Sequence, residues 1–95
     1  MTAAAVAAAR GIRLAVFDVD GVLTDGKLFY GADGGEYKAL HVRDGLGIKL
    51  LQRAGIAVAI ITGRNSPSVS RRATELGIDY LIQGREDKLA ALHEL

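Results

Sequence analysis

The stretch Leu14-Ala15-Val16-Phe17-Asp18-Val19-Asp20-Gly21-Val22-Leu23-Thr24-Asp25-Gly26 opens as an apolar, β-prone run and leaves it through two aspartates one residue apart. From Ile12 to Phe17 the apolar residues do not alternate strictly with polar ones. That is the pattern of a central strand covered on both faces. Gly21 and Gly26 bracket the turn that follows. A strand that delivers carboxylates at its exit is suited to holding a hard cation and attacking phosphorus. One carboxylate can form an acyl phosphate, which divides a hydrolysis into two easier steps. The other can trade protons with the leaving group and with water. Magnesium suits such a site, because it prefers hard oxygen ligands and offsets the repulsion between carboxylate and phosphate.

Working outward, Lys27–Tyr30 and Glu36–Leu40 read as two short strands joined by Gly31-Ala32-Asp33-Gly34-Gly35, whose Asp-Gly step favours positive φ. The expectation is a hairpin flap over residues 27–40, inserted after the first strand and overhanging its end. A helix is expected from an N-cap at Asp44 to about Ala54, with Gly55 as its stop. Ile56–Ile61 reads as a second buried strand ending at Thr62-Gly63-Arg64. Ser66-Pro67 opens the next helix, with Val69, Ala73 and Leu76 on one face and Gly77 at its end. Ile78–Ile82 is a third strand, closed by Gln83-Gly84. A last helix, starting near Glu86, is expected to turn Leu89, Leu92 and Leu95 inward. Strands alternating with helices imply a Rossmann-like α/β fold, a parallel sheet with helices on both faces. Ligands of such sheets gather at the carboxyl ends of the strands, where Asp18, Thr62 and Gln83-Gly84 should share one mouth.

The 95 residues carry twelve basic and eleven acidic side chains, a formal net charge of +1, and are 49% hydrophobic. One domain over 1–95 is expected, with a packed core and no basic footprint for nucleic acid or an anionic membrane. Cysteine is absent, which excludes disulfides and thiolate metal sites and fits a reducing cytoplasm. Residues 1–10 form an alanine-rich extension without the basic leader and leucine-rich middle of a secretory signal. It is too short to span a bilayer.

The motifs Asp18-Val19-Asp20-Gly21-Val22-Leu23-Thr24, Ile60-Ile61-Thr62-Gly63-Arg64 and Gln83-Gly84-Arg85-Glu86-Asp87-Lys88, in this order, resemble those of the haloacid dehalogenase superfamily of phosphatases. The resemblance implies that Asp18 is the nucleophile and Asp20 the general acid/base. It implies that magnesium is held by the Asp18 side chain and the Asp20 backbone carbonyl. Thr62 and Gly63 would bind the phosphate, and Lys88 would neutralise charge on it. With His41-Val42-Arg43-Asp44-Gly45-Leu46-Gly47-Ile48 added, the chain looks like the 3-deoxy-D-manno-octulosonate 8-phosphate phosphatase branch, which acts in lipopolysaccharide synthesis. That branch implies a tetramer in which one subunit's hairpin helps to cover a neighbour's site. Arg64 and Arg43 offer donors for the sugar acid's carboxylate, or else brace surface acids and the hairpin. Phe29, Tyr30 and Tyr37 read as a subunit contact.

The superfamily's fourth motif, an acidic cluster such as Gly-Asp-Asp, has no counterpart after Lys88. The expectation is therefore a part of a longer fold, with an incomplete sheet and an unpaired edge on the first strand. Alone, it should bind magnesium weakly and turn over slowly or not at all. Two alternatives stay open: a phosphatase for nine-carbon sialic-type acid phosphates, and a non-catalytic truncated assembly module.

Overall fold

The computed structural model describes residues 2–95. Along the chain run α1 (Ala3–Arg10), β1 (Leu14–Phe17), β2 (Phe29–Tyr30), β3 (Glu36–Tyr37), α2 (Val42–Arg53), β4 (Ala57–Ile61), α3 (Pro67–Leu76), β5 (Tyr80–Ile82) and α4 (Lys88–His93). β1, β4 and β5 form one parallel sheet in that spatial order. β2 and β3 form the expected antiparallel hairpin, pairing Phe29 with Tyr37 and Tyr30 with Glu36.

The strand register explains the position of the site. Phe17 lies opposite Ile60, and Ile61 lies opposite Ile82. The next residues along the three strands, Asp18, Thr62 and Gln83, therefore emerge along one edge of the sheet. β4 is the central strand, and Val58, Ala59, Ile60 and Ile61 are all buried. Val58 packs with Ile48 of α2 and Leu76 of α3, while Ile60 packs with Val69 of α3 and with Val19. Burying each such side chain contributes about 1.5–3 kcal/mol. Ala59 and Ile61 alternate to the other face, where α4 meets β4 with its buried Ala91.

β1 is an edge strand, as expected from the missing acidic motif, but it is not covered on both faces as its apolar run suggested. Its only partner among the described residues is β4, and Val16 is 40% exposed. The long apolar run marks a strand built to be covered, and covering on this side comes from none of the described elements.

α2 starts one turn earlier than expected. His41 is its N-cap, with Nδ1 accepting from the Arg43 N–H at 3.0 Å, and Asp44 falls in the first turn. There its negative charge still complements the helix dipole. α3 follows its sequence signals closely. Ser66 Oγ accepts from the Val69 N–H, Pro67 occupies the first turn, and Gly77 ends the helix in the left-handed region at φ 62°. In α4 the expected inward leucines are corrected. Leu89, Leu92 and Leu95 are exposed, because Ala91 makes the close approach to β4 and turns the larger side chains outward. Residues 3–10 of the alanine-rich extension are helical and expose every side chain, with Thr2 as cap; Met1 lies outside the described residues.

Candidate active site

Asp18 leaves β1 with its carboxylate fixed at both oxygens. Oδ1 accepts from the Val19 N–H at 2.7 Å, and Oδ2 accepts from Lys88 Nζ at 2.8 Å. Beyond it the chain coils into a tight turn, in which the N–H groups of Val22, Leu23 and Thr24 all donate to the Val19 carbonyl. Val19 is itself buried against Ile60 and Val69, so the turn is anchored from below. The Lys88 hydrogen bond, assisted by the Val19 N–H and by the charges of Lys88 and Lys38, outweighs partial burial and holds the Asp18 carboxyl below its ordinary 3.8. The same contact raises Lys88 above its ordinary 10.5. An ionised carboxylate paired with an ammonium can attack an electrophile while the cation offsets the charge of an anionic group.

Lys88 reaches Asp18 because of its place at the first residue of α4. Arg85 secures that approach. Its guanidinium donates to both Asp87 carboxylate oxygens at 3.0 and 2.6 Å and lies 2.6 Å from a carboxylate oxygen of Glu94, so one side chain ties both ends of α4 together.

Thr62 is buried at the exit of β4. Its Oγ1 accepts from the Arg64 N–H at 3.4 Å, and its carbonyl accepts from the Arg85 N–H at 3.3 Å. Gly63 follows, and the carboxylate of Glu86 lies where a β-carbon at this position would stand. At the exit of β5, Gln83 Oε1 accepts from the Ser66 N–H at 2.8 Å, and its Nε2 donates to Ser70 Oγ at 2.7 Å. Gln83 thereby locks the third strand end to the start of α3, a role that its reading as a simple turn missed.

Asp20 points to a different set of partners. Lys38 Nζ donates to its Oδ1 at 2.8 Å, and Arg64 Nε lies 3.5 Å from its Oδ2. Arg64 also lies 3.6 Å from Glu36 Oε2, and Lys38 lies 3.8 Å from Glu36 Oε1. Two cations and two anions alternate in a closed ring that joins the hairpin to the turn after β1 and to the loop after β4. Glu36 and Lys38 were not among the residues expected at the site. The available signal was their spacing, since residues two apart on a strand share a face.

Arg43 stands apart. It lies at the exposed start of α2, over a shallow depression lined by Phe17, Leu23 and Leu51, and no ion pair among the described residues joins it to either aspartate. The structure thus brings together Asp18, Asp20, Thr62, Gly63, Arg64 and Lys88 at the strand ends and leaves Arg43 outside that cluster.

Among the described residues, no three His, Asp or Glu side chains converge as a metal cage. The donors at the mouth are hard carboxylate oxygens, and magnesium typically takes one or two carboxylates and keeps several waters. The donor set fits that ion.

No protein-family model matches the chain. A 3-deoxy-D-manno-octulosonate 8-phosphate phosphatase KdsC of Yersinia pestis is 53% identical over 87 residues, a match that covers 92% of this chain and 46% of that protein. The crystal structure of the phosphatase of the same name from Moraxella catarrhalis, in complex with magnesium ion, phosphate ion and a KDO molecule, superposes with a TM-score of 0.85 at 54% identity, covering 87% of this chain and 48% of that one. A Legionella pneumophila hydrolase ascribed to subfamily III A of the HAD superfamily superposes with a TM-score of 0.84 at 46% identity, over 87% of this chain and 46% of that one. The chain spans about half the length of the curated relatives it matches. In sequence and in backbone, the chain is similar to 3-deoxy-D-manno-octulosonate 8-phosphate phosphatases over about half of their length, and it shares the fold of haloacid dehalogenase hydrolases.

Proposed function

We propose that the protein is a magnesium-dependent phosphomonoester hydrolase that removes phosphate from 3-deoxy-D-manno-octulosonate 8-phosphate, a step of lipopolysaccharide biosynthesis in the cytoplasm. The observation that carries this reading is the pairing of Asp18 with Lys88 at 2.8 Å, at the same strand exit as Asp20 and Thr62. Asp18 Oδ2 attacks phosphorus and forms the aspartyl phosphate, while Asp20 protonates the departing sugar oxygen and then takes a proton from the hydrolytic water. Lys88 neutralises charge on the transferring group, and the Thr62 hydroxyl and Gly63 N–H hold its oxygens. Arg64 receives the carboxylate of the sugar acid, a role in which Arg43, outside the cluster, has no part. The Asp18 side chain and the Asp20 backbone carbonyl would hold magnesium, which when bound would supply charge neutralisation between carboxylate and phosphate.

Phosphate release from the sugar phosphate, with and without magnesium, tests the reading. Slow, magnesium-dependent release that Asp18→Asn lowers by about a thousandfold or more is expected, as for loss of a covalent nucleophile. Release that Asp18→Asn leaves unchanged contradicts it. A panel that includes nine-carbon sialic-type acid phosphates separates the neighbouring substrate class.

One observation favours assembly in addition. Phe29, Tyr30 and Tyr37 of the hairpin are 53%, 69% and 49% exposed. Aromatic residues presented together on a flap suit a subunit contact. We assign them to the homotetramer that the family resemblance implies, and light scattering at increasing concentration checks it.

A further inference from the structure

Lys38 carries its charge into the protein, with a side chain only 1% exposed. A buried ammonium is strongly unfavourable unless it is closely paired. Lys38 has one short contact, the 2.8 Å hydrogen bond to Asp20 Oδ1, and one longer approach of 3.8 Å to Glu36 Oε1. That Glu36 oxygen is itself buried and accepts no hydrogen bond. The ring closes through Arg64, which is 51% exposed and sits at 3.5 and 3.6 Å from Asp20 and Glu36. The two cations therefore differ in kind. Lys38 is short-ranged, buried and close to its acid, whereas Arg64 is loosely held and open to solvent.

We propose that Lys38, backed by Glu36, is a positioning residue that fastens the hairpin to the Asp20 carboxylate, so that the acid and the flap above it are set as one unit. Lys38 occupies Oδ1, which leaves Oδ2, loosely bridged by Arg64, as the oxygen that meets the substrate. Arg64 can leave the ring for an incoming anion while Lys38 keeps Asp20 aimed. Glu36 balances Lys38 once Arg64 has gone. This assignment rests on the acid/base role given to Asp20 above, but the fastening itself does not.

Hydrogen exchange on the 95-residue chain tests the fastening, and phosphate-release kinetics test the aim. In Lys38→Met the amides of residues 21–37, including the Gly31 N–H that bonds the Gly35 carbonyl at 2.8 Å, should exchange about tenfold faster, the loss of one charged hydrogen bond. Amides of β4 and β5 should keep their rates. Steady-state kcat should fall on the order of a hundredfold with KM held within about twofold, as for a misplaced catalytic group. The Glu36→Gln/Lys38→Met pair removes the facing charges together and guards against simple misfolding; it should show the same pattern. Unchanged hairpin exchange, or an equal rise throughout β4 and β5, overturns the proposal, and so does a loss confined to KM. A wild-type chain that releases no phosphate would count against activity of these 95 residues alone, while the exchange result would still decide the fastening.

Discussion

Asp18 and Asp20 are separated by one residue, yet the structure gives them different company. Asp18 faces an exposed lysine from α4, and Asp20 faces a buried lysine from the hairpin. Two acids in different surroundings are what a nucleophile and a proton donor require. At Gly63 the Glu86 carboxylate fills the space where a side chain would begin. Gly63→Ala should displace Glu86, the flexible end of a side chain, and so change stability by less than about 1 kcal/mol, within the range of substitutions whose surroundings can relax. Its cost should appear in phosphate affinity, read as a raised KM for the sugar phosphate. Asp18 and Thr62 were legible in the sequence because strand ends carry them, and Lys88 through the order of motifs in the family resemblance. Lys38 was not, since its partner lies 18 positions away and meets it only when the hairpin folds back.

Among the elements that carry site residues, α4 is thinly supported by packing. It has six residues, one of them buried, and no side-chain hydrogen bond at its N-cap. The Arg85 clamp stands in for that cap. Hydrogen bonds from Arg85 hold the Asp87 carboxyl below its ordinary 3.8. A carboxyl whose pKa is lowered by folding adds stability above its unfolded value, and that contribution is lost as pH falls through the lowered folded value. Exchange at α4 amides should therefore rise below about pH 3.8 before the β4 amides respond, and Arg85→Gln should produce the same loosening at neutral pH. An α4 that keeps its protection in Arg85→Gln would contradict the clamp. α3 makes the opposite case, because its cap, proline, apolar face and final glycine all agree. Gly77→Ala should cost about 1 kcal/mol in denaturant unfolding, since φ 62° is a left-handed conformation. The leucines of α4 misled for a physical reason. In a helix this short, one small residue at the point of closest approach decides which face turns inward, and side-chain hydrophobicity does not reveal it.

At the scale of the molecule, the sheet has a covered centre and an open side. β4 is fully engaged, while β1 presents its second edge unpaired among the described residues. An unpaired edge is a template for association. The 95-residue chain should gain apparent mass with concentration in light scattering, and Val16→Lys, which places a charge on the exposed part of that strand, should reduce the gain. Ile48→Ala, beneath α2 in the core with Val58 and Leu76, should cost about 2–5 kcal/mol in chemical unfolding. The parallel α/β class was legible from the alternation of strands and helices. The unpaired edge of β1 followed from the missing acidic motif, whereas the open face at Val16 did not, because an apolar strand looks the same whether or not its cover is at hand. Asp18 Oδ2, which the fold points at Lys88, is the atom we assign to phosphorus. Borohydride trapping during turnover reduces an aspartyl phosphate to homoserine, and mass spectrometry locates it. Homoserine is expected at position 18 and nowhere else; homoserine at position 20, or turnover with no trapped residue, would contradict the assignment of Asp18 as nucleophile.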